Sequence, residues 1–316
     1  MFKKLFSFLK KDDVNGLHQI DLSLNYSRLS EFEGYIKDKQ YQHFETEYDN
    51  VEWDAQTLLN EGIGLNKNYA TAIMEWVQLR PDSYVANLFA GVSKTSLAWI
   101  ARTSAIGASV SKKNANKFLT LLEAAADYLN RADELNPANA EVCARMIRVY
   151  MGLGIDRENT KSFFDAAIRI VPNHLMAHLM MANYLNPKWG GSIEAMHEFV
   201  QEKNNVTASS LLITLRLFAI TEEWLYYDLN GEEKKHAQFF ASTDLKLSVF
   251  NFYSGYKEEE DGKLLIPYVY NYFAFLFWMT DNKELARQLI KRINNKMTIY
   301  PWAYIDIVTN DQLQRL

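Results

Sequence analysis

One cysteine, Cys143, stands in a chain of 316 residues, so a disulfide framework and a thiolate metal cluster are both excluded. The expected compartment is a reducing one, the cytoplasm. Positive charge is short too: 34 lysines and arginines face 39 acids, a net charge of -5 with a pI near 5.8. Such a surface lacks the field that displaces counterions from phosphates, and nucleic acid is not an expected partner. Long apolar runs are scarce. The longest, LLIPYVYNYFAFLFWM from Leu264 to Met279, has 16 residues where a span needs ~20, and Pro267 and Asn271 interrupt it. It reads as a buried core helix, with no stable membrane insertion. Alternating Val/Ile/Thr runs bounded by tight hairpin turns are also missing, so strands are not expected.

What is present is helical periodicity and aromatic mass. Aromatics make up 14% of the chain, with 18 Phe, 18 Tyr and 7 Trp, large side chains for cores and interfaces. Ser30 is placed to cap a helix through residue 50, and apolar spacing then predicts helices at 52–61, 68–79, 82–91, 93–109, 113–134, 139–153, 159–170, 173–185 and 192–203. More follow at 207–229, 231–241, 243–256, 265–280 and 282–294, then a short terminal pair. The punctuation recurs: Arg80-Pro81, Asn136-Pro137 and Val171-Pro172 each precede a helix whose first inward residue lies five on, at Ala86, Val142 and Ala177. Proline suits a helix's first turn and stops the helix before it. Pro137 and Pro172 stand 35 residues apart, the period of stacked helical hairpins.

That period fits a tetratricopeptide-like pattern. Ile147, Met151, Phe164 and Ala167 fall at its positions, with Arg148 and Thr160 in place of the usual small residues. A second copy matches in order at Tyr270, Phe273, Ala274, Phe277, Ala286, Ile290 and Ile293. The expected fold is all-α, tetratricopeptide-like stacked hairpins forming an α-solenoid-like core. Its divisions are residues 1–27, an N-terminal amphipathic extension; 28–204, a helical domain; and 205–316, C-terminal hairpins on the same solenoid.

Residues 79–202 resemble an uncharacterised bacterial domain-of-unknown-function family with tetratricopeptide-like helices. LAWIAR at 97–102, ELNP at 134–137, MGLG at 151–154 and the W-G-G-S element of NPKWGGS at 186–192 carry the resemblance. It implies the helical fold and supplies no activity to transfer. In MFKKLFSFLKK, Phe2, Leu5, Phe6 and Leu9 share one helical face among lysines, while the apolar run is too short for a secretory signal. Docking on the body or fraying is expected of this segment, with contact to an anionic membrane as the alternative.

Catalytic signals are sparse. His174 and His178 stand four apart on one face, a spacing that suits zinc, with His197 and Glu194 one helix downstream; a metal-dependent hydrolase built on the three histidines is one alternative. The glutamate of a metalloprotease helix is replaced by Leu175, and neither metal nor cofactor is expected. The glycine pairs at 62–64 and 152–154 read as left-handed helix caps, since neither follows a strand. Cys143 reads as a buried side chain. Trp99 and Arg102 share a face, where Arg102 reads as a structural anchor or, alternatively, as a grip on an acidic ligand. In NPKWGGS, Trp189 is expected to wedge between hairpins, Gly190 and Gly191 to free the backbone, and Ser192 to cap the next helix.

Two stretches mix acids with surface character: EEWLYYDLNGEE, with Trp224, Tyr226, Tyr227, Glu232 and Glu233, and KEEEDGK, with Glu258, Glu259 and Glu260. Acids beside rigid aromatics suit a basic protein partner. The expected function is therefore non-catalytic protein binding, in the sharpest form a cytoplasmic immunity protein that neutralises a basic toxin domain. An adaptor or assembly scaffold is the alternative.

Overall fold

The computed structural model describes residues 20–102, 111–137, 139–206 and 209–316. Every regular element among them is helical, and no strand occurs there. Sixteen α-helices follow in order: α1 Leu29–Lys37, α2 Tyr41–Asp49, α3 Trp53–Leu59, α4 Ala70–Leu79, α5 Tyr84–Arg102, α6 Lys112–Leu135, α7 Ala140–Leu153 and α8 Arg157–Ile170. Next come α9 Leu175–Tyr184, α10 Ile193–Val206, α11 Ile213–Leu229, α12 Glu233–Gln238, α13 Thr243–Gly255, α14 Ile266–Met279, α15 Lys283–Ile293 and α16 Asn310–Gln314. The expectation for MFKKLFSFLKK, and for helix beyond Arg102, lies outside the described residues. No described helix is long and apolar enough to cross a membrane.

The chain divides into two compact units, Asn25–Met181 and Ala182–Leu316, the latter including residues 20–24. The division falls inside α9, ahead of the 204/205 boundary expected from the sequence.

In the first unit, the helix expected from residue 30 to 50 is two helices, because Lys39 takes φ +55° between α1 and α2. Both feed an aromatic nest. Phe44 lies 4.7 Å from Trp76 and 5.1 Å edge-on from Phe89, while Tyr41 stacks on Trp76 at 5.6 Å. Offset and edge-to-face pairs of this kind add stability beyond the area they bury. The helices expected at 82–91 and 93–109 join into one, α5, which packs along α6 and α7. Gly91 does not break it. A Cβ there would stand 2.5 Å from Leu129 Cγ, so glycine is present to let α5 and α6 approach. Gly64, expected as a left-handed cap, instead ends a π-helical turn, Asn60–Gly64, and presses against Val92. Gly154 is the cap that was expected, with φ +70° after α7.

The prolines sit one step earlier than expected. Helices α5, α7 and α9 begin at Tyr84, Ala140 and Leu175, so Pro81, Pro137 and Pro172 lie in the preceding turns. Capping falls to later residues, as where Asn139 Oδ1 accepts the Val142 N–H at 3.0 Å. The inward residues Ala86, Val142 and Ala177 are fully buried. So are Ile147, Phe164 and Ala167 in the α7–α8 pair, with Thr160 filling a small-residue position and bonding back to the Asp156 carbonyl.

In the second unit, the apolar run is α14, buried from Val269 to Phe277. Asn271, its polar interruption, is a core junction: Nδ2 donates to the Pro267 carbonyl at 2.7 Å and the Lys296 carbonyl at 3.0 Å. Its Oδ1 accepts from Trp302 Nε1 at 2.7 Å and the Thr298 N–H at 3.2 Å, so all four hydrogen-bonding positions are used. Helix α15 packs along α14 through Ala286, Leu289, Ile290 and Ile293, and α11 packs on the same helix.

Candidate functional site

The NPKWGGS stretch builds one wall of a surface cleft in the second unit. Asn186 Oδ1 accepts the Lys188 N–H at 3.1 Å and opens a single 3₁₀ turn, Pro187–Trp189. Gly190 closes that turn at φ +91°, a conformation that strains any L side chain. Gly191 meets a different constraint, since a Cβ would lie 1.9 Å from the Leu185 carbonyl oxygen. Ser192 Oγ then accepts the Ala195 N–H at 3.0 Å and starts α10 as its N-cap. Trp189 is half-buried in this turn.

Glu222, on α11, fastens the stretch from beneath. Its carboxylate is 2% exposed and accepts from Asn186 Nδ2 and Lys188 Nζ, both at 2.7 Å, and from Tyr304 OH at 2.5 Å. Three donors on one buried carboxylate compensate its desolvation and fix the loop. Nothing in the local pattern EEW distinguishes Glu222 from a surface acid, so sequence reasoning missed it.

Above this anchor α11 turns into α12, and the turn forms the opposite wall. The cleft has a volume of about 290 Å³ and is lined by Gly191, Ser192 and Glu194 on one side and by Tyr226, Tyr227 and Glu232 on the other. Tyr227 OH donates to Glu223 Oε1 at 2.8 Å, and Glu223 Oε2 lies 2.9 Å from His197 Nε2. Burial raises the Glu223 pKa, but the bonds from His197 and Tyr227 outweigh it and the net direction is down. The same burial, with the Glu223 carboxylate, pushes the Tyr227 phenol up to about 12. Glu194 is held below the usual carboxylate range by its own backbone N–H and by Ser192. At neutral pH Glu194 and Glu223 are thus ionised and the Tyr227 phenol is neutral. Lys235 lines it as well, with Nζ 2.5 Å from Glu232 Oε2 and 5.2 Å from the centre of the Tyr227 ring.

Other residues singled out by the sequence fall elsewhere. Trp224 is 6% exposed and stacks on His236 at 4.8 Å, so its ring is a core contact and not part of a surface. Glu233 is exposed in the first turn of α12. The acids of KEEEDGK fasten their own loop: Glu258 accepts from Tyr270 OH and Arg292, Glu259 from the Ser210 N–H at 3.1 Å, and Glu260 pairs with Lys263 at 2.8 Å. In the first unit the Arg102 guanidinium lies 5.7 Å from the Trp99 ring and 5.8 Å from Phe118, a cation–π arrangement in which burial lowers its pKa.

His174 and His178 are both buried in the first unit, and His197 belongs to the second. His174 Nδ1 accepts the Ala177 N–H at 3.2 Å, which leaves the proton on Nε2, 3.2 Å from Glu141 Oε2. His178 Nδ1 faces the His174 carbonyl at 3.0 Å and its ring meets Phe164 edge-on. Among the described residues no group of three or more His, Cys, Asp or Glu is arranged to hold a metal ion.

Glu141 is part of a second feature that sequence reasoning passed over. Arg145, 8% exposed, binds Glu61 and also Glu141 Oε1 at 2.6 Å; its Nη2 further reaches the Thr57 carbonyl at 3.4 Å. Burial raises the Glu141 pKa, yet Arg145 and His174 overcome it and set the carboxyl at about 2. Burial likewise opposes the Arg145 charge, and the two carboxylates more than restore it. The spacing of Glu141 and Arg145, four apart on α7, was the available signal.

The fold and cleft together define the class: an all-helical protein with an acidic, aromatic surface notch. No family model, curated protein or solved structure matches this chain.

Proposed function

We propose that the chain is a protein-binding helical module whose contact surface includes the Tyr226–Tyr227 cleft, with no catalysis of its own. One observation carries this reading: two tyrosine rings and the Glu194 and Glu232 carboxylates line one cleft whose wall is fixed by a buried glutamate. Aromatics supply contact area at low entropic cost, and the acids steer and select a basic partner. In this reading the paired helices α7–α8 and α14–α15 are tetratricopeptide-like hairpins, in keeping with the resemblance carried by LAWIAR and NPKWGGS.

The sharpest form of the proposal is a cytoplasmic bacterial immunity protein that covers a basic toxin domain. Net charge, helical architecture and the acidic cleft support it. Co-purification from the native host is the test. Retention of a basic protein by the wild type, reduced by Glu232→Gln together with Tyr226→Ala, is the expected result; no retained protein refutes the reading. Gene order separates immunity from an adaptor role, since a toxin gene alongside favours the first and a secretion or envelope operon the second.

A further inference from the structure

The cleft already holds a cation, and that cation is its own. Lys235 reaches back from α12 so that its ammonium sits beside the Tyr227 ring and against Glu232. Its side chain is 63% exposed, so this is a surface pair in competition with water, a weak hold. The remaining acid of the cleft, Glu194, is fastened at the start of α10 by its own backbone N–H and by Ser192, and Glu223 is taken up by the Tyr227 hydroxyl and His197. Counting the side chains that line the cleft, Glu194 and Glu232 outnumber Lys235, which leaves one negative charge for an incoming cation.

The volume narrows the occupant. About 290 Å³ falls at the lower edge of the range for small-molecule pockets, and the walls mix acids with apolar and aromatic surface, so the space suits one amphipathic side chain better than a whole metabolite. Arginine fits that chemistry better than lysine. A planar guanidinium stacks on an aromatic face, forks to carboxylates and is less strongly hydrated than an ammonium.

Resting on the protein-binding reading above, we propose that the cleft is a receptor for one arginine side chain of the partner, and that Lys235 is a resident stand-in which this arginine displaces. The free chain thus keeps its acids partly neutralised, and the partner exchanges one surface pair for a stacked, forked one.

The probe is N-acetyl-arginine-N′-methylamide, titrated into the full chain while the tyrosine ring resonances are followed by NMR. Tyr226→Phe and Tyr227→Phe assign the signals, and the citrulline analogue serves as the uncharged isostere. The arginine probe should shift the Tyr226 and Tyr227 rings, and the citrulline probe should not. Lys235→Ala should tighten arginine binding by about twofold to fivefold, the equilibrium worth of an exposed pair. No ring shift in either wild type or Lys235→Ala, equal shifts from citrulline, or unchanged affinity in Lys235→Ala would each overturn the proposal. A partner retained equally by wild type and Glu232→Gln, with no response to the probe, would remove the arginine receptor and leave protein binding standing. A responding probe with no retained partner would remove the protein-binding reading instead.

Discussion

Two charged clusters, one in each unit, use similar side chains to opposite ends. Around Arg145, Glu61, Glu141 and His174 are closed off from water, and the arginine is bonded to both carboxylates. Around Glu222, one carboxylate is buried in the same way, but its donors lead outward to the NPKWGGS turn, and Tyr226, Tyr227 and Glu232 stand open beyond it. A sealed cluster specifies packing, whereas an anchored one holds a surface in shape. The contrast teaches that burial of a charge marks neither function nor its absence until its partners have been followed to the surface.

The largest break in this comparison is expected from Arg145→Met, which strands two buried carboxylates and should destabilise by about 3 to 5 kcal/mol in chemical denaturation. It also changes the sign of the acid response. In the wild type Glu141 has a folded pKa of about 2 against an ordinary 4.5, so its contribution is complete above 4.5 and lost as pH falls toward 2. Without Arg145 the burial of that carboxyl, the largest influence on it, is opposed only by His174, so its folded pKa rises and stability should increase as pH falls through the acid range. Denaturation midpoints at several pH values distinguish the two slopes.

Next in size is Gly191→Ala. The added methyl meets the Leu185 carbonyl, a backbone atom that cannot rotate away, and a loss on the order of 3 kcal/mol is expected with disturbance confined to the α9–α10 turn. Hydrogen exchange across residues 186–196 would locate it. Glu222→Gln should cost less, about 1.5 to 3 kcal/mol, because it removes the charge from three hydrogen bonds and leaves the shape. If the cluster is an anchor for the cleft, this variant also weakens partner retention, while Arg145→Met, refolded at a permissive temperature, does not. The smallest effect on stability belongs to Lys235→Ala, whose side chain is exposed; its melting temperature should match the wild type.

Much of the helical content was legible. Capping residues, apolar spacing and the three proline turns predicted most helices, and Ala274, Ala286 and Thr160 proved buried at their pattern positions. The errors share a cause. The division expected after residue 91 and the left-handed cap expected at 62–64 are both absent, because Gly91 and Gly64 answer to a packed neighbour, Leu129 for one and Val92 for the other. Trp224 looked like a surface aromatic beside acids because a three-residue neighbourhood does not reveal which side of α11 faces the core.

By itself the sequence determined where most helices and turns fall and that the chain carries excess acid, because these depend on residues within a few positions of one another or on composition alone. Only the tertiary structure decided which charges are sealed and which are shown. Glu141 and Glu222 are chemically alike and equally helical; one meets Arg145 and His174, the other meets Asn186, Lys188 and Tyr304. Helical periodicity assigns a side chain to a face and can pair Glu141 with Arg145, but the partners across that face come from far along the chain, 84 residues between Glu61 and Arg145 and 82 between Glu222 and Tyr304, and no local pattern encodes them.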